Sequence, residues 1–456
     1  MVPASGTAYC MNKGIQQNTG LERRLDVWDT VSLVAGSVIG SGIFLVPHQI
    51  SLLITSPLLV LAVWAVAGAV SLFGALAIAE MSSQYPHAGG LYIYLREAFG
   101  PGIAFLYGWS LLVAIQTGNI AGLGAAFSIY LRTFVSLSPL SAKLMAMGVI
   151  GALTLGNCFG IRRGASIHNV FTVIKLGTLA CVIVLLIAAK RAPADGALPL
   201  PIDWKWSSLG LAAIATLWAY EGWHLVTFAA GEVRDPERTL PRGLILGVGL
   251  VIVLYLAANG GYLRVLPIGS LQSRPDVAAA AMESVIGRWG GWLVALLILF
   301  SIAGAMNGLI LSGPRVYFAM ARDGLFFRHL TQLSRSHHAP VYAIILQGLL
   351  ASIMLLAGEF AQLITYVIFA AWIFYALTVA GVWILRRSPA WNPPFRCPAY
   401  PLLGCVFVGF ALYIMVSQVT RAPRQAALGV SIILLGLPVY WIWSRRKSRV
   451  NPGAQA

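Results

Sequence analysis

Long apolar stretches recur along the whole chain and constrain its fold more than any other feature. Twelve of them come close to the roughly 20 residues that a helix needs to cross a lipid bilayer. Spans one to twelve are residues 27–54, 58–81, 101–131, 140–159, 166–189, 207–231, 243–263, 290–319, 341–357, 361–385, 401–420 and 425–443. Because lipid offers the backbone no hydrogen-bond partner, each span is expected to be helical.

The charge content supports a membrane location. Only 10% of the 456 residues are charged, whereas water-soluble domains carry about 25%. The net charge of +16 would point to nucleic acid in a soluble protein, but here it follows the positive-inside rule. With a cytoplasmic N-terminus, 19 of the 31 Lys and Arg residues fall in cytoplasmic segments and 10 in outer ones. We therefore predict a multi-pass protein of a cell membrane such as the bacterial inner membrane, with both termini cytoplasmic, contacting lipid and no nucleic acid.

Spans one and six are each interrupted near the middle. Span one contains three glycines within Gly36–Gly42, and span six carries Glu221 and Gly222 inside an apolar run. Glycine weakens a helix, and a carboxylate is costly in lipid. Glycines in membrane helices also serve close packing, which is the structural alternative for span one. Two breaks five spans apart are the pattern of two inverted repeats of five helices.

This pattern gives the predicted architecture. The fold class is an all-α membrane protein of twelve transmembrane helices, with a 5+5 inverted repeat and helices 1 and 6 unwound at the midplane. The predicted segments are a cytoplasmic N-terminal tail (1–26), a first repeat (27–190), a second repeat (207–386), spans eleven and twelve (401–443) and a cytoplasmic C-terminal tail (444–456). The first 26 residues lack the apolar run and cleavage site of a signal peptide.

An unwound helix exposes main-chain groups that suit a zwitterion. The partial positive charge of a helix N-terminus favours a carboxylate, and free carbonyls accept from an ammonium. The predicted donors are the amides of Ser41, Gly42 and Ile43. The predicted acceptors are the carbonyls of Val38, Ile39, Trp218 and Ala219. Hydrogen-bond donors for an anion and hydrogen-bond acceptors for a cation, at the same depth in the membrane, predict a site for an α-amino acid.

Two ionisable side chains, Lys175 and Glu221, lie near the middle of a span. The structural alternative for Lys175 is an ammonium that is hydrogen-bonded to carbonyls at a helix end and only braces the helix bundle. If those carbonyls belong to the interrupted span one, bracing the bundle and supporting the functional site are the same role. For Glu221 the alternative is a neutral, hydrogen-bonded acid, whereas a residue facing a water-filled cavity would stay ionised. Arg315 and Glu80 lie near span ends, where we expect them to snorkel to the interface.

Four motifs carry a family resemblance. They are Gly36-Ser-Val-Ile-Gly-Ser-Gly-Ile-Phe44, Tyr85–Tyr92 with Phe99-Gly-Pro101, Glu232–Pro241 and Ala321-Arg-Asp-Gly324. In this order they resemble the first helix, the first cytoplasmic loop and the loops after helices six and eight of the amino acid–polyamine–organocation transporter superfamily. Trp218–Trp223 and Lys175 are most similar to its L-type amino-acid transporter branch and bacterial relatives.

The resemblance implies the leucine-transporter-like (LeuT) fold and alternating access. By motif, Val38, Ser41, Gly42 and Ile43 would hold the substrate backbone. Trp218 would close over the substrate, and Lys175 would take the place of a sodium ion. Acidic residues at the position of Glu221 occur in relatives that also accept cationic amino acids. The predicted function is therefore secondary-active, sodium-independent exchange of neutral and cationic L-amino acids.

Partners and alternatives follow from what the sequence lacks. In the family that the chain resembles, the animal light subunits bind a glycoprotein partner through a cysteine in the outer loop between spans three and four. The corresponding loop here, Arg132–Pro139, has no cysteine, so we expect no disulfide-linked heavy subunit. The sequence offers no cofactor motif, metal-ligand cluster or nucleophile with a base, so an enzyme would have only Glu221 and Lys175 as an acid–base pair. A proton-coupled amino-acid or polyamine permease and an amino-acid sensor remain as alternatives.

Overall fold

The computed structural model describes residues 23–190, 206–358, 360–421 and 423–450, and these ranges hold eighteen α-helices. The first eight are α1 (Val27–Val38), α2 (Gly42–Ser51), α3 (Pro57–Gln84), α4 (Leu91–Phe99), α5 (Pro101–Ser110), α6 (Gln116–Leu131), α7 (Pro139–Asn157) and α8 (Ile161–Ala188). The others are α9 (Trp206–Ala219), α10 (Pro236–Val265), α11 (Ile268–Ser273), α12 (Val277–Ile286), α13 (Arg288–Ser312), α14 (Pro314–Arg322), α15 (Val341–Ala357), α16 (Phe360–Leu385), α17 (Leu402–Arg421) and α18 (Pro423–Val450). Three shorter segments complete the helical structure: a π-helical Leu111–Ile115 and 3-10 helices at Trp223–Glu232 and Arg328–Thr331.

Ten helical stretches in the described part are long and apolar enough to cross a membrane. They correspond to all of the spans except six and nine. Span nine is α15, which has 17 residues, and span six divides into α9 and the 3-10 helix Trp223–Glu232. The prediction of an all-α, multi-pass membrane protein is confirmed, whereas the count of twelve spans stays a prediction.

Proline and glycine fix many helix ends. Helices α3, α5, α7, α10 and α14 carry proline in the first turn, where its missing N–H breaks no intrahelical bond. Gly90 and Gly100 flank α4 with φ values of 46° and 86°, which glycine adopts without a steric penalty. These local signals keep the helix ends close to the predicted span limits.

Three short helices lie where the sequence predicts no span, namely α4, α11 and α12. Helix α12 covers only ten residues between spans seven and eight, which is too short for a crossing segment. Its residues from Val277 to Met282 are buried. Helix α12 is therefore a short, partly buried helix that packs against α13.

Span one lies at the centre of the protein. In its most apolar stretch 94% of the residues are buried, against 17% in the last span. Helix α1 packs against α8, α10 and α13, and α2 packs against α9. An interruption in span one is therefore enclosed by protein and not exposed to lipid, which is where irregular backbone is tolerated.

The prediction that Arg315 and Glu80 snorkel is wrong. Their exposed fractions are 1% and 0%, and each has a partner that sequence spacing does not reveal. Arg315 Nε donates to Glu232 Oε1 at 2.9 Å. The donors to Glu80 are Arg386 Nε at 2.9 Å, Trp391 Nε1 at 3.0 Å and the Cys397 N–H at 2.8 Å. These charge-assisted hydrogen bonds take the place of the water that each charged group would contact if its side chain reached the membrane interface.

The loop after α16 is thus anchored on α3 by a buried carboxylate. Burial first, and then the charge of Glu80, raises the pKa of the Cys397 thiol to about 11. The thiol therefore stays protonated and poorly nucleophilic near pH 7.

Residues 1–22 of the predicted N-terminal tail and residues 451–456 of the predicted C-terminal tail lie outside the described residues. Leu25, in the part of the N-terminal tail that is described, forms a parallel β-bridge with Val233. Asp26 then caps α1, because it accepts from the Asp29 N–H while Asp29 accepts from the Asp26 N–H. At the other end, α18 continues to Val450, so residues 444–450 of the predicted tail are helical.

Candidate functional site

The helix of span one stops and restarts near its middle. Helix α1 ends at Val38, Ile39 is extended with φ −73° and ψ 92°, and α2 begins at Gly42. Within the described residues, the N–H groups of Gly40, Ser41, Gly42 and Ile43 have no hydrogen-bond acceptor. Four unpaired donors at the N-terminus of α2 form the kind of group that binds a carboxylate.

Lys175 reaches this interruption from α8. Its Nζ donates to the carbonyl of Gly36 at 2.5 Å and to that of Ile39 at 2.8 Å. Ser301 Oγ on α13 also contacts the Ile39 carbonyl at 3.4 Å. The carbonyls that accept from the buried ammonium therefore belong to span one. This is the arrangement in which Lys175 would brace the helix bundle and support the functional site with the same contact.

Span six has a matching interruption. Helix α9 ends at Ala219, Gly222 has φ 113°, and the 3-10 helix begins at Trp223. Trp218, in the last turn of α9, is 7% exposed. A positive φ of this size favours glycine over any residue with a Cβ.

The two interruptions pack against each other, backbone to backbone. A Cβ added to Gly42 would lie 2.6 Å from the Ala219 Cα. A Cβ added to Gly222 would lie 3.2 Å from the carbonyl carbon and oxygen of Ser37. Only glycine allows both approaches, so the glycines serve close contact as well as the change of direction.

Tyr255 on α10 joins the two interruptions. Its hydroxyl lies 3.0 Å from the carbonyl oxygen of Val38 and 3.0 Å from that of Ala219. The Trp218 carbonyl accepts from the Glu221 N–H at 3.0 Å. The Tyr255 hydroxyl has one proton, so it donates to only one of the Val38 and Ala219 carbonyls at a time, and both of these carbonyls keep a lone pair that can accept from an ammonium.

Glu221 faces α16, where the Tyr375 hydroxyl donates to its Oε1 atom. The same hydroxyl lies 3.3 Å from His224 Nε2. The rings of His224 and Tyr375 are 4.8 Å apart, and Trp223 packs against both. Within the described residues, Oε2 of Glu221 has no hydrogen-bond partner, so this carboxylate retains capacity for a ligand.

The structure brings the predicted site residues together at the two interruptions. They are Val38, Ile39, Ser41, Gly42, Ile43, Trp218, Ala219 and Glu221, with Lys175 beside them. Sequence reasoning missed Tyr255 and Tyr375, because a phenol in an apolar span looks like an ordinary packing aromatic. In the ranges that the structure describes, no group of three or more His, Cys, Asp or Glu residues is placed to hold a metal ion.

Comparison with known proteins decides the family. The sequence profile of the family described as amino acid permease matches residues 25–443, which include all of the predicted spans. The chain belongs to the amino acid permease family. This membership confirms the resemblance to the amino acid–polyamine–organocation superfamily and its L-type branch, and it confirms that the permease transports amino acids and is not an enzyme.

Three relatives match the permease over nearly its full length. The serine/threonine exchanger SteT of Bacillus subtilis (strain 168) is 31% identical over 445 residues, covering 95% of this chain and 99% of its own. The b(0,+)-type amino acid transporter 1 of Mus musculus is 28% identical over 449 residues, covering 95% and 92%. The cystine/glutamate transporter of Homo sapiens is 29% identical over 444 residues, covering 94% and 88%.

The contact between Gly42 and Ala219 gives a first prediction for this permease. Gly42→Ala is expected to lower the initial rate of amino-acid transport by about tenfold or more, because the added methyl group meets backbone that can yield only if α2 and α9 separate. The measurement is uptake of labelled amino acid into proteoliposomes, normalised to inserted protein.

Gly249→Ala is the matched control, since a Cβ at Gly249 on α10 meets nothing within 4 Å. The control variant is expected to transport like the wild type. Equal rates for the Gly42 and Gly249 variants would show that the close approach of α2 and α9 does not matter for transport.

Proposed function

We propose that the permease is a secondary-active, sodium-independent exchanger of neutral and cationic L-amino acids. Ten of its twelve transmembrane helices form two inverted repeats, residues 27–190 and 207–386, and spans eleven and twelve follow. Spans one and six unwind at the midplane, and both termini lie in the cytoplasm of a bacterial cell. The substrate site alternates between the two sides of the membrane.

The contact of Lys175 with span one carries the proposal of sodium independence. The ammonium lies 2.5 Å and 2.8 Å from the carbonyl oxygens of Gly36 and Ile39. Carbonyl oxygens around a unit positive charge are the setting that a sodium ion would need. Because Lys175 supplies this charge from within the protein, transport does not require an external cation at this point.

The main-chain groups at the interruptions would bind the substrate backbone. The carboxylate is expected at the unpaired N–H groups of Ser41, Gly42 and Ile43, where the dipole of α2 adds favourable charge. The ammonium is expected at the carbonyls of Val38, Ile39, Trp218 and Ala219, of which those of Val38 and Ala219 keep a lone pair beside the Tyr255 hydroxyl. Trp218 would then cover the bound amino acid from the end of α9.

Glu221 would select the charge of the substrate side chain. Its Oε1 accepts from Tyr375, which leaves Oε2 available for an ammonium or a guanidinium. One relative is named a serine/threonine exchanger and another a b(0,+)-type amino acid transporter, which supports amino-acid exchange by this permease. A disulfide-linked heavy subunit is not part of the proposal, because Arg132–Pro139 contains no cysteine.

A proteoliposome assay tests the exchange mechanism. Uptake of labelled neutral and cationic amino acids is expected to rise by about tenfold when the vesicles contain unlabelled amino acid, because only the loaded carrier returns quickly. Replacing sodium with choline is expected to leave the rate unchanged. Uptake that requires sodium, or that ignores internal amino acid, would contradict the proposal.

A proton-coupled permease is the second candidate, favoured by one observation. Glu221, Tyr375 and His224 form a continuous hydrogen-bonded chain beside the interruption of span six. Such a chain is a feature of proton pathways in membrane proteins. An inward pH gradient applied to empty vesicles distinguishes the two, because it drives uptake by a symporter and not by an exchanger.

A further inference from the structure

We propose that Glu232 is a positioning residue of the inner gate, whose ion pair with Arg315 must separate before the inner side opens. The inner side is that of the loops after spans six and eight. Glu232 would hold the start of span one, the end of span six and span eight in the closed arrangement. The inference rests on the permease being an alternating-access transporter and not on its substrate or on sodium independence.

The ion pair joins two helices that are distant in sequence. Arg315 Nε lies 2.9 Å from Glu232 Oε1, and Nη2 lies 3.5 Å from Oε2. The side chains are 1% and 2% exposed. Arg315 belongs to α14, directly after the point at Gly313 where span eight divides into α13 and α14. Glu232 is the last residue of the 3-10 helix in span six, so the pair ties span six to span eight.

The backbone of Glu232 adds a second attachment. Its carbonyl accepts from the N–H groups of Arg24 at 2.8 Å and Leu25 at 2.9 Å. The Arg234 N–H donates to the Leu25 carbonyl at 2.8 Å, and Leu25 and Val233 form the parallel β-bridge. The segment that leads into α1 is therefore joined to the segment that follows span six, and the two are expected to move together.

Burial makes this contact suitable for a two-state gate. A buried carboxylate and guanidinium stabilise each other, and separating them without water leaves two uncompensated charges. The pair can separate only where water enters the space between spans six and eight. Opening of the inner side and hydration of Glu232 and Arg315 are then one event, so a partly open state is disfavoured.

Labelling of an engineered cysteine tests the proposal without substrate. Ser37 lies in α1 and is 6% exposed. It lines the contact between spans one, six and eight, since Cβ atoms added to Gly222 and Gly308 would both meet it. Ser37→Cys is placed in a chain whose native cysteines (Cys10, Cys158, Cys181, Cys397 and Cys405) are serine. A membrane-impermeant maleimide is applied to vesicles of either orientation.

The double variant E232Q/R315M removes both charges and so leaves no unpaired charge in the interior. It is expected to raise the labelling rate from the inner side by about tenfold or more, with no rise from the outer side. D323N/R96Q is the matched control: this ion pair, at 2.6 Å, joins α4 to the end of α14 and does not involve span one. The control is expected to label like the parent.

Unchanged inner-side labelling of a double variant that is monodisperse in gel filtration would overturn the proposal, as would an equal rise in the control. If the double variant does not fold, E232D provides the test, since it keeps the charge and shortens the side chain. E232D is expected to give a smaller rise from the inner side, and no rise would equally overturn the proposal. Because no amino acid is present, these outcomes do not depend on whether exchange itself is demonstrated.

Discussion

Lys175→Ala is expected to lower the rate of amino-acid exchange on the order of a hundredfold, while the protein still inserts into the membrane. The substitution removes the ammonium from the carbonyls of Gly36 and Ile39. A charged donor to a buried acceptor contributes roughly 1.5–3 kcal/mol, and an acceptor left unsatisfied adds a penalty of its own. The end of α1 then loses its position relative to α2, and the substrate site loses its geometry.

Lys143→Ala is the matched control for this substitution. Lys143 Nζ also donates to a main-chain carbonyl, that of Gly358, at 3.0 Å, but in a partly exposed position on α7. The control is expected to keep its exchange rate. Exchange is measured as efflux of preloaded labelled amino acid driven by external amino acid. Wild-type rates in the Lys175 variant would reduce this residue to a structural brace.

Glu221→Gln is expected to lower kcat/KM for cationic amino acids by tenfold to a hundredfold relative to neutral ones. The estimate corresponds to the roughly 1.5–3 kcal/mol of a hydrogen bond between charged groups. The amide keeps the size of the side chain and can still contact Tyr375, so the neutral substrates are expected to retain most of their rate. The measurement is competition between labelled neutral and cationic amino acids in one vesicle preparation.

Tyr375→Phe tests the effect of the position of the Glu221 side chain while its charge is kept. The variant removes the hydroxyl that donates to Oε1 and leaves the carboxylate in place. A smaller loss, similar for both substrate classes, is expected. If Glu221→Gln also lowers both classes equally, the carboxylate does not select the substrate charge, and the cationic part of the proposed substrate range has no support.

The helices could be predicted from the sequence because an apolar segment that is long enough to cross the bilayer must satisfy its backbone hydrogen bonds as a helix. Spans three and nine agree with the observed limits of 101–131 and 341–357. The glycines of Gly36–Gly42 and the pair Glu221 and Gly222 lie at the ends of α1 and α9, because glycines weaken a helix and a carboxylate inside an apolar run needs polar surroundings. The unwinding of both helices at the membrane midplane stays a prediction. Helix α12 was not predicted, because a ten-residue segment that contains Glu283 and Ser284 satisfies no rule for a crossing helix.

The side-chain partners could not be predicted, because they come from distant parts of the chain. Lys175 and Gly36 are 139 residues apart, and Tyr255 and Val38 are 217 apart. The same limit explains why Arg315 looked like a residue that snorkels: its partner, Glu232, lies 83 residues earlier. Spacing along a sequence reveals contacts within one helix, whereas these contacts depend on how the helices pack.

A cryo-electron microscopy structure with a bound amino acid tests the central claim most directly, namely that the interruptions of spans one and six bind both ends of a zwitterion. We expect the substrate carboxylate within hydrogen-bonding distance of the Ser41, Gly42 and Ile43 amides, and its ammonium at the carbonyls of span one and span six. Continuous helices through Gly40 and Glu221, or an amino acid bound away from both, would contradict the claim.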